Sequence, residues 1–353
     1  MQTSVVGWDI GGAHIKAAVV DSEGRVAAVV QHPCPLWKGM TYLENSVKKI
    51  LAELPKAPCR HALTMTGELV DLFDNRDEGV YRIMVAMSAL MPVADLQIYA
   101  GQSGFLPVDS VLPEHYSEIA SANWLASASY VADRLGDGLF IDIGSTTTDI
   151  VLLAQGRVRA QGLTDYQRLV SGELIYTGVV RTAVMAVAQE ALFKGCRVGL
   201  MAEYFATMAD VYRLTDELIE IYDQSETADG GAKTVNASAR RLSRMIGYEY
   251  DAAMLDDWKL FAGNLRGQQL HKIQQGCERQ LSRARLISRH PFVGAGVGRF
   301  LVKQLASNLG CDYVDFNELL PQACAEFAMT SADCAPAIAV ALLARGGMQQ
   351  FSI

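Results

Sequence analysis

The sequence predicts an α/β protein of two domains, each opening on the same three-strand unit. Three observations carry this. Residues 5–9, 15–20 and 25–30 read as strands, parted by the turns Gly11-Gly12 and Asp21-Ser22-Glu23-Gly24. The same order returns at residues 138–142, 148–154 and 157–161, parted by Gly144-Ser145 and Gln155-Gly156. Asp9-Ile10-Gly11-Gly12 and Asp142-Ile143-Gly144-Ser145 align, with starts 133 residues apart, at 9 and 142. A repeat of that length is a duplicated domain rather than a solenoid. It divides the 353 residues into a first domain, 1–135, and a second, 136–353.

Between the two openings, Leu43, Val47, Ile50, Leu51 and Leu54 fall on one face of a helix. A strand is predicted at 61–65, a helix within 80–90, a strand at 96–100 and one long helix over 114–135. Beyond the second opening, residues 170–289 read as mainly helical, broken by the polar stretch 224–231, and give a helical insertion at about 175–285. A strand at 286–293 leads into Gly294-Ala295-Gly296-Val297-Gly298, which opens a helix over 299–309. The last helix, 336–345, starts on a proline, stops at Gly346-Gly347 and is apolar nearly all round, so it is expected to be buried.

The composition narrows the function classes. With 31 basic and 39 acidic residues the net charge is −8, which argues against nonspecific nucleic-acid binding. Seven cysteines, an odd number with no CxxC pair, argue against a disulfide framework or a structural zinc site. The start carries no basic n-region and no apolar run is long enough to span a membrane, so a reducing cytoplasm is expected.

The two aspartate–glycine turns carry the chemistry. Glycine lets main-chain N–H groups approach an anion without an intervening Cβ. Gly11, Gly12 and Ala13 in the first turn, and Gly144, Ser145, Thr146 and Thr147 in the second, are the expected phosphate cradle. Asp9 and Asp142 would repel phosphate unless a cation lies between, and Mg²⁺ suits a few carboxylate ligands plus phosphate oxygens. Lys16 can reach a phosphate as a point charge. A plain hairpin with an incidental aspartate explains either turn alone, and explains two copies poorly. The late turn, Gly294, Gly296 and Gly298, is a candidate nucleotide or substrate contact, with close helix–strand packing as its rival explanation.

These elements, in this order, resemble the actin, sugar-kinase and Hsp70 superfamily, which implies RNase H-like domains around a central cleft. Particular words point further: Asp9-Ile10-Gly11-Gly12-Ala13, Thr64-Met65-Thr66-Gly67-Glu68, Asn123-Trp124-Leu125-Ala126, Asp142-Ile143-Gly144-Ser145-Thr146-Thr147-Thr148-Asp149 and Phe292-Val293-Gly294-Ala295-Gly296-Val297-Gly298. They are similar to the tetrahydromethanopterin-linked one-carbon pathway family and its methanofuran-biosynthesis branch. The resemblance implies a transferase, not a kinase. An aminomethylfuran diphosphate loses its diphosphate to a phenol acceptor, of tyramine or tyrosine type, and an ether forms. Stabilising the departing diphosphate would be the main task. His14 stands where Asn is expected in such relatives; both adopt left-handed backbone more readily than most residues.

The phenol needs a base, and Glu68 and Glu173 are favoured for their places at strand and helix ends, with Asp149 and Asp165 as further candidates. Tyr204, Phe205, Tyr212 and Trp258 suit core packing better than a ring pocket. His61, His271 and His290 lack metal spacing. Arg279, Arg283, Arg285 and Arg289 form either an anion-binding cluster or a solvated face. An ATP-dependent kinase of the same fold, with ATP as ligand, is the alternative, and a noncatalytic nucleotide-binding switch the third. The sequence leaves a homo-oligomer open.

Overall fold

The computed structural model describes residues 3–54, 59–283, 290–321 and 329–346. In chain order the first sheet draws on β1 (Ser4–Ile10), β2 (His14–Val20), β3 (Val26–Pro33), β4 (Cys59–Met65), β5 (Leu96–Tyr99) and β6 (Phe105–Pro107). Helices α1 (Met40–Glu53) and α2 (Arg76–Leu90) fall among these strands, and α3 (Tyr116–Ile119) and α4 (Asn123–Leu135) follow them. Next come β7 (Gly138–Ile143), β8 (Thr148–Ala154), β9 (Arg157–Val158), α5 (Asp165–Ser171) and β10 (Leu174–Ile175). The insertion holds α6 (Val184–Val187), the hairpin β11 (Glu190–Phe193) and β12 (Cys196–Gly199), α7 (Met208–Leu214), α8 (Val235–Arg244) and α9 (Leu255–Arg283). The chain closes with β13 (Phe292–Ala295), α10 (Arg299–Leu309), β14 (Tyr313–Asp315) and α11 (Ala335–Gly346).

The first sheet runs β3-β2-β1-β4-β5-β6. Its first three strands pair antiparallel, and β4 joins β1 in parallel. The second sheet runs β10-β8-β7-β13-β14, with β9 also on β8. Setting β9-β8-β7-β13-β14 beside β3-β2-β1-β4-β5 shows the same connectivity, so the repeat in the sequence is a repeat of topology. Both halves are RNase H-like, as the superfamily resemblance implies.

By internal packing the chain forms two compact units. The first holds residues 1–140, 151–173 and 314–353; the second holds 141–150 and 174–313. These units interleave along the chain, whereas the duplicated segments 1–135 and 136–353 follow one another. In the first unit, alternation along β1 sends Val6, Trp8 and Ile10 into a core with Leu43, Val47 and Ile50 of α1 and Ile83 and Met87 of α2. The opposite face is covered by α11. A Cβ on Gly7 would lie 1.9 Å from the carbonyl oxygen of Ala337, so only glycine lets that helix backbone sit on β1. The apolar, alanine-rich α11 is buried, as its pattern predicts.

Three expectations are corrected. The helix predicted over 114–135 is broken: α3 ends at Ile119, Ser121 takes a left-handed φ of 52°, and α4 begins at Asn123. The region read as mainly helical contains the β11–β12 hairpin, turned by Lys194 and Gly195 at φ 49° and 77°. His14 is the first residue of β2 and not a left-handed turn residue. Part of the strand predicted at 286–293, with Arg285 and Arg289, lies outside the described residues. No helix among the described residues is long and apolar enough to cross a membrane.

Candidate functional site

The first turn lies in the first unit. Asp9, 7% exposed, is the next-to-last residue of β1, directly opposite Lys16 of β2 and beside Thr64 of β4. Paired residues point to the same side of a sheet, so the aspartate and the lysine share a face. The Lys16 Nζ donates to the carbonyl of Asp333 at 2.8 Å, which ties this face to the segment entering α11. The carbonyls of Gly12 and Ala13 accept from Leu36 N at 3.0 Å and Cys34 N at 2.8 Å. The turn is therefore held from behind by its carbonyls.

Glu68 stands immediately beyond the end of β4, against this turn. The Thr66 N–H donates to the Ile10 carbonyl at 2.9 Å, and a Cβ on Gly67 would come within 3.3 Å of Gly11. On the other side, a Cβ on Gly79 would lie 2.3 Å from the Glu68 carbonyl oxygen. Two glycines thus let the turn and α2 close around Glu68, which is 1% exposed. Its Oε1 accepts from Ser121 Oγ at 2.7 Å, while Oε2 has no hydrogen-bond partner among the described residues. Burial raises its pKa from the ordinary 4.5 to about 7; the Ser121 hydroxyl and Arg76 oppose the rise and Asp165 adds to it. Ser121 Oγ also lies 3.2 Å from Asp165 Oδ2, and Asp165 is ion-paired with Arg76.

The other favoured glutamate is differently placed. The Glu173 carboxylate accepts from Gln161 N at 2.7 Å, Gly162 N at 3.2 Å and Ser171 Oγ at 2.7 Å. Arg168 donates to the Glu173 carbonyl at 3.1 Å and lies 3.9 Å over the Trp124 ring. This is the geometry of a clamp holding the loop around α5, with both carboxylate oxygens engaged. Asp165, the first residue of α5, belongs to the Glu68 cluster, and Asp149 lies in β8 opposite Leu174.

The second turn lies in the second unit. The Gly144 carbonyl accepts from Val179 N at 3.1 Å, and the Ser145 carbonyl from Val180 N at 3.1 Å and Arg181 N at 2.8 Å. A Cβ on Gly178 would sit 2.4 Å from Thr146 N, so residues 177–181 press directly on the turn. Trans peptides place each N–H opposite the preceding carbonyl. The N–H groups of Ser145 and Thr146 thus point away from that backing, and those of Ser145, Thr146 and Thr147 donate to no protein acceptor among the described residues. Arg181 Nη1 reaches Thr146 Oγ1 at 3.5 Å. A polar pocket lined by Arg181, Tyr204, Thr207, Asp223 and Glu226 opens beside it. Tyr212 and Trp258 are core residues, as expected, whereas Tyr204 is 49% exposed and lines this pocket instead of the core.

The late glycine turn is explained by packing. A Cβ on Gly294 would meet the Tyr313 ring at 2.8 Å, one on Gly296 the Asp142 Oδ1 at 2.3 Å, and one on Gly298 the Ile143 Cγ2 at 2.5 Å. The Gly298 N–H donates to the Ile143 carbonyl at 2.8 Å. These glycines seat the strand end that carries Asp142. Sequence reasoning missed Ser121, Arg76 and Arg181, which stand in no glycine-containing word of their own.

A family model described as hydantoinase/oxoprolinase matches residues 60–337, most of the chain. The chain belongs to the hydantoinase/oxoprolinase family. A protein of Methanocaldococcus jannaschii is 29% identical over 306 residues, covering 86% of this chain and 88% of its own. Its name is (4-{4-[2-(gamma-L-glutamylamino)ethyl]phenoxymethyl}furan-2-yl)methanamine synthase. A Methanococcus vannielii protein of the same name is 31% identical over 120 residues, 34% of this chain and 54% of that one. The resemblance carried by the sequence words is therefore shown. Among solved structures, nucleotide-free acetone carboxylase superposes with a TM-score of 0.59 at 10% identity, over 97% of this chain and 70% of that one. That likeness establishes the shared fold of this hydantoinase/oxoprolinase member.

Proposed function

We propose that this chain is a methanofuran-type biosynthetic transferase that joins an aminomethylfuran diphosphate to a phenol. The observation that carries this is the similarity to the named synthase over 86% of this chain and 88% of that one. In the proposed reaction the phenol oxygen attacks the exocyclic methylene of the furan. The carbon–oxygen bond to the diphosphate breaks, the ether bond forms and diphosphate leaves. The phenol proton passes to Glu68. A phenol has a pKa near 10, so a base poised near neutrality assists it. The carboxylate with pKa about 7 and a buried oxygen that has no hydrogen-bond partner among the described residues suits that task.

Within the second unit, the N–H groups of Ser145, Thr146 and Thr147 and the guanidinium of Arg181 are donors of the kind that stabilise diphosphate charge without reorganisation. No cluster of three or more His, Cys, Asp or Glu suited to a metal occurs among the described residues. The single carboxylate at each turn, Asp9 or Asp142, fits a cation that arrives on phosphate oxygens and keeps its waters. Mg²⁺ bound there would supply neutralisation of the leaving group.

The experiment is a product assay with aminomethylfuran diphosphate, a tyramine- or tyrosine-type phenol and Mg²⁺. Ether and diphosphate in equal amounts, with no ADP from added ATP, is the expected result. ADP and a phosphorylated product would overturn it in favour of a kinase.

A further inference from the structure

We propose that Ser121 is a positioning residue for Glu68, a hydroxyl that donates to Glu68 while that carboxylate is ionised and turns to Asp165 once Glu68 is protonated. The inference rests on reading Glu68 as the base, and goes beyond it by assigning the groups that let the base load and unload.

The geometry is specific. Ser121 Oγ lies 2.7 Å from Glu68 Oε1 and 3.2 Å from Asp165 Oδ2. A hydroxyl has one proton to donate, so it serves one carboxylate at a time. Arg76 is paired with Asp165 and holds that carboxylate in place as the second acceptor. All three side chains are held on different elements, Arg76 on α2, Asp165 on α5 and Ser121 in the break before α4. That break is costly: Ser121 is one of four non-glycine residues with positive φ among the described residues. A continuous helix would carry the hydroxyl elsewhere.

The step balances simply. The phenol proton binds Glu68 at Oε2, the oxygen with no other partner. Oε1 thereby becomes a weaker acceptor, and the Ser121 hydroxyl rotates to Asp165 Oδ2. No bond to carbon changes in this movement and no second proton is consumed. The charged groups acting on Glu68 are Arg76 and Asp165. Removing the hydroxyl and removing the Asp165 charge must therefore shift Glu68 in opposite directions.

The test uses the whole protein labelled with ¹³C at glutamate side-chain carboxyls, with the Glu68 signal assigned by its loss in Glu68→Gln. Ser121→Gly keeps the left-handed backbone and removes the hydroxyl. It is expected to move the Glu68 midpoint up by about one pH unit, the scale of a lost hydrogen bond to a charged group. Asp165→Asn is expected to move it down. The acid limb of the kcat/KM profile for ether formation should follow both shifts. A midpoint unmoved by either variant, or moved the same way by both, overturns the proposal. Opposite shifts in a protein that forms no ether would uphold the switch and reject the transferase reading, so the two failures are distinguishable.

Discussion

The two duplicated turns began as one sequence word and now differ in what surrounds them. Each is gripped from behind through its carbonyls, the first by Cys34 and Leu36, the second by residues 179–181. The first adjoins a cluster of the buried Glu68 and Ser121 with the half-buried Asp165. The second has hydroxyls, unengaged N–H groups and Arg181. The turn and its backing are common to both copies, while the neighbours differ, and the proposed function assigns proton handling to the first and anion binding to the second.

The sharpest way to break this contrast is Glu68→Gln. It is expected to lower kcat for ether formation by about 10²- to 10⁴-fold, the usual worth of a positioned base, measured at neutral pH in the product assay. Glu173→Gln should instead appear in thermal unfolding, because that carboxylate only holds a loop. If both substitutions acted alike on kcat, the division of roles would fail.

A pH series sharpens the same point. Folded Glu68 binds its proton more tightly than an unfolded glutamate, with a pKa of about 7 against 4.5. Between those values the folded state holds more protons, so this group's stabilising contribution is complete below pH 4.5 and is lost as pH rises through 7. The difference corresponds to about 3 kcal/mol. Glu68→Gln should flatten the fall in denaturation midpoint across that window and be the more stable protein at pH 8. A wild-type slope that survives the substitution would locate the titration elsewhere.

The glycines offer a smaller effect. A Cβ on Gly11 would sit 2.8 Å from the His14 carbonyl, whereas one on Gly144 would meet Thr147 O at an ordinary 3.5 Å. Gly11→Ala is expected to cost about 1–3 kcal/mol in urea denaturation, and Gly144→Ala clearly less. The smallest effect is for Arg181→Gln. It should weaken binding of Mg–pyrophosphate, followed by calorimetry, by about tenfold, the worth of one charge-assisted hydrogen bond. Unchanged affinity would remove the arginine from the anion site.

How much could be read in advance varied with the kind of signal. β8 is found at its predicted limits because its apolar run ends in the Gln155-Gly156 turn. The β11–β12 hairpin was hidden among helix-like residues, although Lys194-Gly195 is the turn that makes it. The break at Ser121 was illegible, since Ala120, Ser121 and Ala122 contain neither glycine nor proline. Glu68 could be singled out from its place after a strand. Its acidity could not, because desolvation depends on Gly67 and Gly79 bringing distant segments around it.

By itself the sequence determined the duplicated sheets, the two glycine turns and the kinship, because periodicity, glycine placement and word order are local properties of the chain. The tertiary structure alone decided which acid is poised and which merely clamps a loop. Glu68 and Glu173 are both buried glutamates; one keeps an oxygen with no hydrogen-bond partner among the described residues, and the other accepts from two main-chain N–H groups and the Ser171 hydroxyl. Proton affinity follows from such surroundings, and residues far apart in sequence supply them.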